Sequence, residues 1–112
     1  MTASVNINGV AWNWKAQIVA RQLWAGRHAS VGIWVDVLSL HAQDQGLDWT
    51  AINASTVSHI LRQLRRAGLN VSHTLRPNVK SASFTQTFRQ VHFVDRDHVH
   101  DPAVVAWLTG AI

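Results

Sequence analysis

"ASTVSHILRQLRRAGLNV", residues 54–71, is the stretch on which the reading of this chain turns. Val57, Ile60, Leu61 and Leu64 recur at i, i+3, i+4 and i+7, the spacing of one face of an α-helix. Asn53 is a good N-cap, and Ile52 before it can close a hydrophobic staple onto Val57. Gly68 supplies the stop, and Leu69 can seal the cap against the helix end. Once the aliphatic stripe faces a core, geometry sets the opposite face. Ser55, His59, Arg62 and Arg66 form one exposed stripe, flanked by Thr56, Ser58, Gln63 and Arg65.

Downstream, "LNVSHTLR" alternates Leu69, Val71, His73 and Leu75 with period two, which predicts a strand. "PNVKSAS" is a loop, and "FTQTFRQVHFV" a second strand rich in Thr, Phe and Val. The alternation of that second strand slips between Phe88 and Val91, so it either carries a bulge or pairs only over its later part. Asp101 as cap and Pro102 at the first helical position start a short terminal helix through Leu108.

Upstream, "SVNING" reads as a short strand or an extended arm. Trp14, Ile18, Val19, Leu23 and Trp24 fall on one broad face, predicting a helix over about 13–25 that stops at Gly26. A second helix is expected over about 31–44, capped by Ser30. Its apolar residues Val31, Ile33, Trp34, Val37, Leu38 and Leu40 lie on several sides, which predicts a central, well-buried helix. In "LDWTAIN", Asp48 can cap a single helical turn over Trp49–Ile52.

Taken as they stand, Ser55, Thr56, Val57, Ser58, Leu61, Leu64, Ala67, Gly68, Leu69 and Val71 resemble the recognition helix of winged helix-turn-helix transcription regulators. The resemblance covers residues about 31–94, and the hairpin after the helix is similar to a wing. It implies an α+β, mostly α fold: a winged helix-turn-helix with a two-stranded wing and extra N- and C-terminal helices. The 112 residues then form one domain: an arm and helix over 1–30, the winged unit over 31–94 and a terminal helix over 95–112. In that family the helix before the turn is longer than the single turn for which "LDWTAIN" leaves room.

Charge agrees with such a partner. The net charge is +4, and no acidic residue occurs from Trp49 to Val94, a window holding Arg62, Arg65, Arg66, Arg76, Lys80 and Arg89. One-sided charge of this kind is the footprint of a polyanion binder. Arg suits guanine, Gln suits adenine, and Ser or Thr reach bases or phosphate. The resemblance places helix 54–67 in the major groove of double-stranded DNA and the wing, 76–86, on the backbone. Ser55, Thr56, Ser58, His59, Arg62 and Gln63 are then the candidate readers. Arg65, Arg66, Arg76 and Lys80 are the candidate phosphate contacts. The alternative for the helix is a solvated surface whose arginines favour its C-terminal dipole.

Other classes find less support. There is no cysteine and no glutamate, and no phosphate-binding loop, dinucleotide fingerprint, nucleophile elbow or zinc-protease helix. Ser58 and His59 are adjacent, so on a helix they point apart and form no dyad. No enzyme activity and no cofactor are expected. "HFVDRDHVHD" brings His92, His98 and His100 close in sequence to Asp95, Asp97 and Asp101, but the spacing fits no strong metal motif, so no metal site is assigned. The start lacks a signal-peptide pattern, and the longest apolar run is too short to span a bilayer, so a cytoplasmic protein is expected. One recognition helix reads few base pairs, which favours a homodimer, with the Trp12, Trp14, Trp24 and Trp107 helices as its interface. A repressor is the natural role. The alternatives are a winged-helix module that binds protein, or a DNA-binding replication, recombination or packaging factor of a mobile element.

Overall fold

A computed structural model of the chain describes residues 3–77 and 88–110. The helix at the centre of the sequence reading, α3 (Ala54–Ala67), lies where the periodicity put it. Five helices and strands precede it: β1 (Val5–Ile7), β2 (Val10–Trp12), α1 (Trp14–Trp24), β3 (Ala29–Ser30) and α2 (Val31–Asp44). β4 (Ser72–Pro77), β5 (Phe88–Phe93) and α4 (Pro102–Thr109) follow. The result is a small α+β fold in which three of the strands form an antiparallel sheet of order β3-β5-β4.

The core is the junction of α1, α2 and α3. Ala16, Val19, Ala20 and Leu23 of α1 meet Trp34, Leu38 and Ala42 of α2 and Val57, Ile60, Leu61 and Leu64 of α3, all buried. Burying so much apolar surface is the main source of stability. Gln17, polar and outside the expected stripe of α1, is also buried. Its amide donates to the carbonyls of Trp12 and Ala3 at 3.0 and 2.9 Å, so burial leaves those groups satisfied.

Local chemistry explains the helix ends. Asn53 and Thr56 form a reciprocal capping box at the start of α3. At its end Gly68 adopts φ +113°, and the amide of Leu69 reaches back to the Leu64 carbonyl at 3.0 Å. Asp101 caps α4 through the amides of Ala103 and Val104.

Four expectations change. The segment after Ser4 is a hairpin: β1 and β2 pair antiparallel across Asn8 and Gly9, both at positive φ (55° and 81°), as a two-residue turn requires. Trp49–Ile52 is a turn rather than a one-turn helix, because Asp48 Oδ1 takes both the amide and the hydroxyl of Thr50, at 2.9 and 2.6 Å. The helix preceding α3 is therefore α2 itself, with 14 residues. That helix buries only the stripe Trp34, Leu38 and Ala42, leaving Ile33 and Leu40 exposed. On β4 the predicted stripe stops at Val71: His73 and Leu75 face solvent. The β4–β5 register runs unbroken from Ser72↔Phe93 to Pro77↔Phe88, so these residues hold no bulge.

Trp12 lies on β2 rather than on a helix, and it and the other candidate interface tryptophans pack against groups of the same chain. Trp12 is fully buried with its ring edge against Trp107 (5.4 Å), and Arg21 covers the Trp107 ring at 4.3 Å. Trp24 meets His100, and Trp14 stacks on His41. Among the described residues no helix is long and apolar enough to cross a membrane.

Candidate functional site

The N-terminal hairpin and α3 are joined at the helix's C-terminal half. The Asn8 side chain donates to the Ala67 carbonyl at 2.7 Å, and the Trp12 indole to the Gln63 carbonyl at 3.4 Å. With the aliphatic stripe inside and these bonds at the back, the outer face of α3 is left to solvent.

That face carries most of the predicted residues. Ser55, Ser58, His59, Arg62, Arg65 and Arg66 are all exposed on it. Two predicted readers, Thr56 and Gln63, are only partly exposed. The Thr56 hydroxyl accepts from the Asn53 amide (3.3 Å) and donates to the Ala51 carbonyl (3.2 Å), so it holds the helix start. Gln63 is half-buried beside the Trp12 indole. Arg65 Nε donates to the Val71 carbonyl at 3.2 Å, which ties the helix end to the strand that follows. Lys80 and the tip of the expected wing, 78–86, lie outside the described residues.

Arg76 stands directly opposite Arg89 in the β4–β5 ladder. The two line a cleft of about 640 Å³ with Arg27, His28, Ser30 and Ile33. Arg27 is steered there by a bond to Gln22 Oε1 (2.9 Å) and by the Trp34 ring beneath it (5.6 Å). His28 stacks on Phe93 at 4.9 Å. The floor of this cleft is the start of α2, whose first turn holds no acid and whose cap residue Ser30 makes no side-chain cap bond. A helix N-terminus beside several cations suits a phosphate oxygen. Arg27, His28 and Arg89 were missed as site residues, because only the β3–β5–β4 pairing brings distant segments together. The signal for Arg89 was present in the acid-free window; for Arg27 there was none.

His92, on β5, is buried, and its Nδ1 has no hydrogen-bond partner. Burial, and after it electrostatic interaction with Arg65 and His73, lowers its pKa from the ordinary imidazole value, which favours the neutral ring. The other histidines of "HFVDRDHVHD" are separated from it. His100 accepts from the Asn70 amide on Nδ1 (3.0 Å) and meets the Asp95 carbonyl with Nε2 at 2.7 Å. That bonding assigns the ring hydrogen to Nε2. His98 pairs with Asp95 at 3.6 Å. Among the described residues no three such groups converge on a common point.

No protein-family model, curated protein or solved structure matches this chain.

Proposed function

We propose that this chain is a double-stranded DNA-binding transcriptional regulator of winged helix-turn-helix type, with α3 in the major groove and the β4–β5 hairpin as its wing. The observation that carries the reading is the outer face of α3. Ser55, Ser58, His59, Arg62 and Arg66 are exposed on it without an acidic neighbour on the helix, while the opposite stripe is anchored in the core. The order helix, short strand, helix, helix, strand, strand, with β3 paired to β5, supports it as well. In this docking, Ser55, Ser58, His59 and Arg62 reach base edges from the N-terminal half of the helix. Arg66, and the cations of the cleft at Arg27, Arg76 and Arg89, lie on phosphates. Thr56 acts by holding the helix start.

Fluorescence anisotropy of a labelled random duplex, at low and moderate salt, tests the reading. Wild type is expected to bind with a steep salt slope. Arg62→Ala/Arg66→Ala is expected to bind more weakly and to flatten that slope by roughly 0.9, the share of the one phosphate assigned to Arg66. Equal or absent binding by both proteins would end the DNA reading.

A further inference from the structure

From a cleft between α1 and the end of α2, we infer that this chain binds a small planar aromatic carboxylate bearing a ring N–H or O–H donor. No residue of α3 lines this cleft, so the inference stands independently of the DNA reading.

The cleft is built by spacing on α1. Trp14, Gln17, Ile18 and Arg21 recur at i, i+3, i+4 and i+7, so all four lie on one side of the helix. With His41 of α2 and Leu47 beyond its end they line a cleft of about 580 Å³. Small-molecule sites occupy roughly 300–1,000 Å³. Burial is graded across it. Gln17 is only 1% exposed, Trp14, Ile18 and Leu47 are half-buried, and Arg21 and His41 are exposed. The cleft therefore has a polar floor, apolar walls and a polar, basic rim, the make-up of a site in which a few polar groups orient a largely apolar ligand.

Two of its polar groups keep bonding capacity. Gln17 gives its amide hydrogens to the Ala3 and Trp12 carbonyls, and no group of the described residues donates to its Oε1. An amide oxygen taken this far out of water selects a ligand that brings a donor. Arg21 lays its guanidinium over the Trp107 ring at 4.3 Å, and among the described residues its side chain meets no acid. Stacking uses the face of a guanidinium and leaves the in-plane N–H groups to grip a carboxylate bidentately.

The walls select the body of the ligand. Trp14 is stacked on His41, ring centres 5.3 Å apart and planes 30° apart, and the Lys15 ammonium lies 5.7 Å from the same indole. An indole held in this way beside Ile18 and Leu47 favours a flat ring, which gains aromatic contact beyond the area it buries. Among the described residues no acid lines the cleft, and Asp44, next to Gln45 on its rim, accepts from the Gln45 amide at 3.4 Å. An anion at the rim meets Arg21 and Lys15, whereas an amine of the same shape is repelled by them.

Indole-3-carboxylate combines a flat ring, a carboxylate and a ring N–H, and serves as the probe. Titration calorimetry with the full chain, without DNA, should give a Kd of about 1 mM or tighter, the range open to a ligand of this size. Benzofuran-3-carboxylate, in which oxygen replaces the ring N–H, should bind about tenfold more weakly, because Gln17 Oε1 then faces an oxygen. Indole, which lacks the carboxylate, and tryptamine, which carries an amine, should each lose about tenfold or more. Arg21→Gln should weaken indole-3-carboxylate about tenfold. In ¹H–¹⁵N spectra the Trp14 indole signal should shift on titration while that of Trp49, outside the cleft, stays in place. Far-UV circular dichroism checks that the variant folds; if it does not, the four ligands on wild type carry the test alone. The inference is overturned if wild type does not bind the probe at about 1 mM. It is equally overturned if benzofuran-3-carboxylate or indole binds as tightly, if a folded Arg21→Gln protein binds like wild type, or if Trp49 shifts and Trp14 does not. Ligand binding by a protein that ignores DNA would refute the DNA reading alone; DNA binding without affinity for the probe would refute only this inference.

Discussion

The clearest test of how α3 is held is Asn8. This residue sits at φ 55° in the hairpin turn and donates its side-chain amide to the Ala67 carbonyl at 2.7 Å. It also bonds the Asp101 carboxyl, the largest cause of that group's lowered pKa. Asn8 therefore ties the N-terminal hairpin, the end of α3 and the start of α4 at one point. Asn8→Gly removes the side chain but keeps the backbone, and should cost about 1 kcal/mol for the lost hydrogen bonds. Asn8→Ala removes the same bonds and keeps a Cβ in the left-handed region without the polar side chain that makes asparagine tolerant of it, adding about 1–2 kcal/mol. The total is then about 2–3 kcal/mol. With a urea m-value of about 1–1.5 kcal/mol/M, that moves the unfolding midpoint by roughly 2 M. Asn8→Asp should be at least as damaging, because it sets a carboxylate against Asp101 and a helix-end carbonyl. The assay is urea denaturation followed by tryptophan emission and circular dichroism. If Asn8→Ala costs no more than Asn8→Gly, the turn is not strained as described. If neither destabilises, the clamp on α3 does not exist.

Three further outcomes are expected. Gly68→Ala should destabilise by about 1–3 kcal/mol, since φ is +113° there and the added methyl would overlap Asp101 Cβ; a thermal melt of the variant reads it. Because the folded-state pKa of His92 is lowered, its neutral form is favoured by folding, so its contribution is complete above the ordinary value of about 6.5 and is lost as pH falls below it. Denaturation at pH 7.5 and 5.5 should show that loss, and His92→Phe should reduce it; an unchanged pH dependence in the variant would refute the assignment. Thr56→Val should cost about 0.5–2 kcal/mol in denaturant midpoint through loss of the capping box, whereas Thr56→Ser should recover most of it. A Thr56→Val protein of unchanged stability would return that hydroxyl to the list of direct readers.

Much of this arrangement is legible in one dimension, where the determinants are local. The stripe Val57, Ile60, Leu61, Leu64, the cap Asn53 and the stop Gly68 lie within one short segment, so α3 could be placed without knowing its neighbours. The same holds for α2, and for α4 behind Asp101 and Pro102. The outer face of α3 follows from its inner one. Asn8-Gly9 between Val5, Ile7, Val10 and Trp12 also carries a local hairpin signal, though "SVNING" alone reads equally as an arm.

Burial was decided by tertiary structure, because it depends on what arrives from elsewhere in the chain. Ile33 and Leu40 are as apolar as Trp34 and Leu38, yet α1 and α3 cover one side of α2 and leave the other to solvent. Gln17 is buried because Trp12 and Ala3 offer it carbonyls, which no periodicity encodes. Arg27 joins Arg76 and Arg89 only because β3 pairs with β5. Helix positions and charge distribution are short-range properties of the sequence; which faces remain open, and which cations share a cleft, follow from long-range packing.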